Sequence, residues 1–197
     1  MTQRLLAYIM NNMKSLHLSI PHIIATVGMP GAGKTQFSEK FAEIFGAPIL
    51  SSDKISDLTE DAKLAQEISI GLLKQFMKTK QTIVYDGATE KRVARAELVH
   101  MAREAGYKVM FVWVQTDLAT AQSRWTKIRR GDESKFEELM RQFSAPHGSE
   151  SYVVISGRHT YSAQAKTVLR KLTESRVAAV NSPTAPRAAV SNRIRVE

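Results

Sequence analysis

Apolar residues fall along the chain in two alternating rhythms. Short continuous runs at 23–27, 48–51, 82–86, 109–115 and 153–155 have the length and β-branched content of strands buried on both faces. Between them the apolar positions return at helical spacing. Phe37, Phe41, Ile44 and Phe45 make a one-sided stripe closed by Gly46, and Leu64, Ile68, Leu72 and Phe76 make a second. Leu98, Met101 and Ala102 mark a third helix ending at Gly106, and Leu118, Ala121, Trp125 and Ile128 a fourth ending near Gly131. Val168, Leu169 and Leu172 place a last helix from 162 to about 174. Strands alternating with helices in this way predict an α/β fold, a parallel sheet covered by helices on both faces.

The ends depart from this rhythm. Residues 1–20 show weak periodicity and read as an N-terminal extension, and from 175 onward Pro183 and Pro186 interrupt a stretch rich in Ala, Ser, Asn and Arg that reads as a tail. The expected organisation is therefore an extension over 1–20, one domain over 21–174 and a basic, flexible tail over 175–197. The apolar stretch 5–10 is broken by Asn11, Asn12 and Lys14, too short for a signal segment or a span, so a cytoplasmic protein is expected. With no cysteine among its 197 residues, the chain has no disulfide framework, thiolate nucleophile or Cys-ligated zinc, and it suits a reducing compartment. The histidines show no metal-ligand spacing, Trp113 reads as a core residue and Trp125 as a packing residue on the apolar side of its helix. The net charge of +9 favours acidic partners such as nucleotides, phosphorylated metabolites or nucleic acid. Four arginines against one glutamate from Arg176 onward concentrate part of it in the tail.

Candidate chemistry begins where the first strand ends. Gly28-Met29-Pro30-Gly31-Ala32-Gly33-Lys34-Thr35 is a complete G-x-x-x-x-G-K-[ST] motif between a buried strand and an amphipathic helix. In that context the glycines let successive N–H groups converge on phosphate oxygens, and the following helix adds its free amides and positive dipole end. Lys34 supplies a point charge for the outer phosphates and Thr35 a hydroxyl for Mg²⁺. Asp86, closing the third strand, stands where a carboxylate would hold Mg²⁺; capping the next helix is its alternative. No Glu follows Asp86 and no Asn-Lys-x-Asp segment occurs, which argues against motor ATPases and GTPases.

Asp53 follows the second strand, in the crevice where open α/β sheets bind ligands, so it is a candidate proton acceptor, with helix capping as the alternative. Arg124 and Lys127 share a helix face, and Arg129 and Arg130 lie beside Gly131, a possible hinge; they could close over a nucleotide or form a solvated basic face.

With Ser51-Ser52-Asp53, Asp86-Gly87-Ala88-Thr89, Arg92 or Arg95, Phe143, Pro146 and Ile155-Ser156-Gly157, residues 22–173 resemble the P-loop kinases of the polynucleotide kinase and zeta toxin group, related to AAA family ATPases. The resemblance implies a three-layer P-loop NTPase fold with five parallel strands in order 2-3-1-4-5. It also implies ATP and Mg²⁺ as cofactors, and transfer of the γ-phosphoryl group to a hydroxyl of a small metabolite, a nucleotide or a nucleic-acid end. Gly28, Met29, Pro30, Gly31, Ala32, Gly33, Lys34, Thr35 and Gln36 would hold ATP with the lid arginines Arg124 and Arg130, Thr35 and Asp86 would serve the metal, and Asp53, Lys34 and Arg124 would carry the chemistry. Two positions depart from the group: Gly87 is an extra residue, and Ser56 stands where polynucleotide 5′-kinases commonly carry arginine. A nucleotide-binding regulatory NTPase and a UDP-sugar kinase are the rival expectations.

Overall fold

The computed structural model describes residues 18–128 and 133–180. Five strands, β1 (His22–Val27), β2 (Ile49–Ser51), β3 (Ile83–Asp86), β4 (Lys108–Gln115) and β5 (Tyr152–Ser156), form one sheet in the order β2-β3-β1-β4-β5. Every pairing is parallel. The helices are α1 (Lys34–Phe45), α2 (Ser52–Ser56), α3 (Ala62–Lys78), α4 (Arg92–Glu104), α5 (Leu118–Ile128), α6 (Glu133–Gln142) and α7 (Tyr161–Val180). This is the expected three-layer architecture and strand order.

β1 is buried along its whole length, and its side chains alternate between two cores. Ile24, with Val84, Val112, Val114 and Ile155, faces the Phe37-Phe41-Phe45 ladder of α1 and Val168 and Leu172 of α7. The three rings pack at centroid distances of 5.3 and 4.5 Å, burial worth about 2–3 kcal/mol each. Gly46 ends α1 in a left-handed conformation, φ 56°, that only glycine adopts freely, as its sequence position predicts. On the opposite face Ile23, Ala25, Val27, Ile83 and Phe111 meet Leu73 and Met77 of α3 and Leu98 and Ala102 of α4. His22, buried at the start of β1, has its imidazole pKa lowered by that burial.

The structure corrects three expectations about faces. In α3 the buried positions are Ala65, Ser69, Leu73 and Met77, one residue beyond the expected stripe, while Leu64, Ile68 and Leu72 stay 45, 39 and 39% exposed. The two small residues of that row, Ala65 and Ser69, line a cleft together with Leu73. In α5 only Ala121 is buried, and Leu118 and Ile128 are exposed, because the helix packs over a loop at the sheet's edge rather than on the strands. Trp113 is only half-buried and stacks edge-on with Tyr152 at 6.0 Å, whereas Trp125 packs against Phe136 as expected. Helices α2 and α6 were not expected at all, and α7 runs on to Val180. Arg129, Arg130, the extension over 1–17 and the tail beyond 180 lie outside the described residues.

Candidate functional site

The phosphate motif forms the turn from β1 into α1 at the carboxyl edge of the sheet, beside the ends of β3 and β4. Pro30 and Ala32 are buried beneath it, Met29, Gly31, Gly33, Lys34 and Thr35 are half-buried, and Gln36 is exposed on α1. Gly31 takes φ +75°, and a Cβ there would collide with the backbone carbonyl of Ala121. The missing side chain thus lets α5 rest directly on the loop. Gly31→Ala is expected to cost about 1–3 kcal/mol, through backbone strain and displacement of α5, read as a lower midpoint of thermal unfolding. An unchanged midpoint would refute that contact.

Lys34 Nζ donates to the carbonyls of Gly28 and Met29 at 2.9 and 3.2 Å, so its ammonium is folded over the loop that the motif assigns to phosphate. Arg124, reaching from α5, donates to the carbonyl of Gly157 at 3.2 Å and stands 3.5 Å from that of Ala32. Two cations from different elements therefore converge on one loop, and their partners are carbonyl oxygens that an anion could replace as acceptor. A pair formed by Asp117, at the start of α5, and Arg158, after β5, at 3.1 Å holds the same edge together.

Asp86 is buried at the end of β3 and accepts a 2.8 Å hydrogen bond from Thr26 Oγ1 of β1, which in turn accepts from Ser38 of α1. Its carboxylate is thereby held against β1, the strand that leads into the phosphate loop, rather than spent on a helix terminus: the residue preceding α4 is Lys91. One Thr26 bond uses only one of about four acceptor sites on a carboxylate. The glycine-rich turn with Lys34 folded over it, Thr35 in the first turn of α1 and the Asp86 carboxylate at the end of β3 form a set of groups that fits a nucleotide with its Mg²⁺.

Asp53 lies in the first turn of α2, exposed, while Ser51 holds the cap position without a side-chain bond. Asp53 is thus inside the first turn rather than at the cap position itself. Its neighbour Lys54 pairs with Glu39 of α1 at 2.7 Å, tying α2 to the helix that follows the phosphate loop.

Beside α2 opens a cleft of ≈ 380 Å³ between α3 and α4. Ser52 and Ser56 line it, together with Tyr85, a strand residue that sequence reasoning passed over because an aromatic in a strand reads as packing. The Tyr85 phenol is pushed up by burial, against hydrogen bonds with the Ser52 side chain and the Ala88 backbone, and so remains protonated. Gly87, the extra residue of the motif, makes this possible: a Cβ there would overlap the Tyr85 hydroxyl end and Ser52.

Arg95 is not part of an open site. Fully buried, it donates to both Glu150 carboxylate oxygens at 2.7 and 3.1 Å and to the carbonyls of Thr89, Glu90, Ser144 and Ala145. It fastens the Asp86–Thr89 segment to the loop before β5. Arg92 offers its backbone N–H to Ser144.

Residues 23–146 match the AAA domain family, a family of P-loop NTPases. Among solved structures the fold resembles a gluconokinase from Sinorhizobium meliloti 1021 at 17% identity, TM-score 0.60, covering 82% of this chain and 97% of that one. It also resembles a sugar kinase from Janibacter sp. HTCC2649 at 20% identity, TM-score 0.57, covering 83 and 99%. A third is Kti12 of Chaetomium thermophilum in complex with ADP-AlF3, at 16% identity, TM-score 0.58, covering 79 and 99%. At such identities the likeness is one of fold. No curated protein matches the sequence. Among the described residues no helix is long and apolar enough to cross a membrane.

Proposed function

We propose, because the chain belongs to the AAA domain family of P-loop NTPases, that it is an ATP-dependent kinase that moves the γ-phosphoryl group to a hydroxyl of a separate acceptor. One observation supports this reading: the phosphate loop with its two cations and the ≈ 380 Å³ cleft share one neighbour, α2, which carries Asp53, lines the cleft with Ser52 and Ser56, and pairs through Lys54 with Glu39 of the helix that follows the loop. A regulatory NTPase needs only the first of these. Solved relatives of the fold that are named as a gluconokinase and a sugar kinase support the same direction.

In this reading the loop amides and Lys34 hold the β- and γ-phosphates, Arg124 exchanges its carbonyl partners for phosphate oxygens, and Asp53 takes the proton of the acceptor hydroxyl as it attacks. The chemistry Mg²⁺ would supply here is neutralisation of phosphate charge. Thr35 and Asp86 are the residues that would hold the ion. Little covalent work is left to the protein, so positioning and charge carry the rate. The polynucleotide kinase and zeta toxin group is the finer assignment; Ser56, bonded to its own helix at Ser52 O (3.0 Å) where that group's 5′-kinases have arginine, weighs against a polynucleotide end.

The deciding measurement is ATP consumption with and without hydroxyl acceptors. Acceptor-stimulated turnover is expected in the wild type, and Lys34→Ala should lower it by about 10²–10³-fold with unfolding unchanged. ATP binding without any acceptor effect would identify a regulatory NTPase instead.

A further inference from the structure

We propose that the acceptor is a small unphosphorylated compound, neutral or cationic, presenting a hydroxyl at one end and an apolar body behind it. This rests on the kinase reading above and names the substrate class of its cleft. The part of the cleft formed by α2 and β3 is uncharged and rich in hydroxyls: Ser52, Ser56 and the protonated Tyr85. Its depth is apolar, formed by Leu73 of α3 with Leu98 and Met101 of α4. The only charged side chains among the described lining are Glu90 and Glu97 against Lys91, an excess of one negative charge.

For a phosphate this lining offers one lysine, Lys91, against the two carboxylates of Glu90 and Glu97. Phosphate recognition relies on arginine forks, lysine charge or unused helix amides. No arginine lines the cleft among the described residues, and Arg95, on the wall helix α4, has its guanidinium committed to Glu150 and four carbonyls. The amino end of α3, which opens into the cleft at Ala62, is already occupied, since Asp61 accepts from the N–H groups of Lys63 and Leu64 at 2.9 and 3.1 Å. A second phosphate on the acceptor would therefore meet two carboxylates and the capped end of α3, with Lys91 alone to offset them. A neutral hydroxyl compound meets hydrogen-bond partners and an apolar floor, and an amine gains the attraction of Glu90 and Glu97.

The test compares matched pairs on the full chain with ATP: thymidine against thymidine monophosphate, glucose against glucose 6-phosphate, with 2-deoxystreptamine and a 5′-hydroxyl oligonucleotide alongside. The unphosphorylated or cationic member is expected to show kcat/KM about tenfold or more above its phosphorylated partner. Glu97→Lys, an exposed change that leaves the core untouched, should shrink or invert that ratio while the KM for ATP stays constant. A higher kcat/KM for the monophosphates or the oligonucleotide end overturns the proposal and leaves the kinase reading standing. An unchanged ratio in Glu97→Lys removes the cleft as the source of selectivity and overturns it equally. ATP binding with no acceptor raising turnover fails the kinase reading, and the proposal with it.

Discussion

Asp53→Asn is expected to lower acceptor-dependent turnover by about 10²–10⁴-fold, the range for loss of a general base, with ATP affinity changed by less than about twofold. The substitution keeps the size and the backbone of the first turn of α2 and removes only the ability to take a proton. Asp53 is exposed, and the packing of α2 is carried by Ile55, which is 7% exposed, and by the Lys54–Glu39 pair. Stability should therefore change by no more than about 0.5 kcal/mol. A residual rate near wild type in a normally folded Asp53→Asn protein would reduce this aspartate to a favourable charge at the start of a short helix. A parallel loss of ATP affinity would instead place it among the nucleotide contacts.

What was legible in the sequence and what was not divides along a physical line. The phosphate loop and all five strands could be read because each is a local pattern: apolar runs set the strands, and the glycines with Lys34 and Thr35 occur at fixed spacing. The strand order followed only from resemblance, since periodicity carries no information about neighbours. The phase of α3 was misread because its apolar arc is wide. Leu64, Ile68 and Leu72 and the adjacent row of Ala65, Ser69, Leu73 and Met77 have the same four-residue period, and the row that faces inward is fixed by the space available at the sheet. α6 escaped notice because it buries a single anchor, Phe136, among charged residues. The acceptor cleft is legible only in three dimensions, where Ser52, Tyr85 and Leu98 come together from three separate elements.

Arg95 shows the same limit most clearly, and its replacement should give the largest loss of stability. On sequence it is one of several arginines on a helix; its burial depends on a loop about fifty residues away, which no periodicity reveals. Arg95→Met keeps the apolar stem and removes the donors, leaving the Glu150 carboxylate, 13% exposed, without its cation and four carbonyls without their hydrogen bonds. Loss of one partner from a buried pair costs about 3–5 kcal/mol. Arg95→Lys should recover little of this, because one ammonium with three donors cannot reproduce the planar fork that spans six acceptors. The pH dependence has a definite sign. Burial pushes the Glu150 carboxyl up, but the bonds from Arg95 and the His147 N–H, with the Arg95 charge, outweigh it and hold the folded-state pKa below the ordinary value. The stabilisation is complete above the unfolded glutamate pKa of about 4.3 and disappears as pH falls through the lower folded value. Denaturant midpoints at pH 7 and below pH 4 should thus converge between wild type and Arg95→Met. A difference under about 1 kcal/mol at pH 7, or one that grows on acidification, would show that the Arg95–Glu150 pair does not hold the Asp86–Thr89 segment in place.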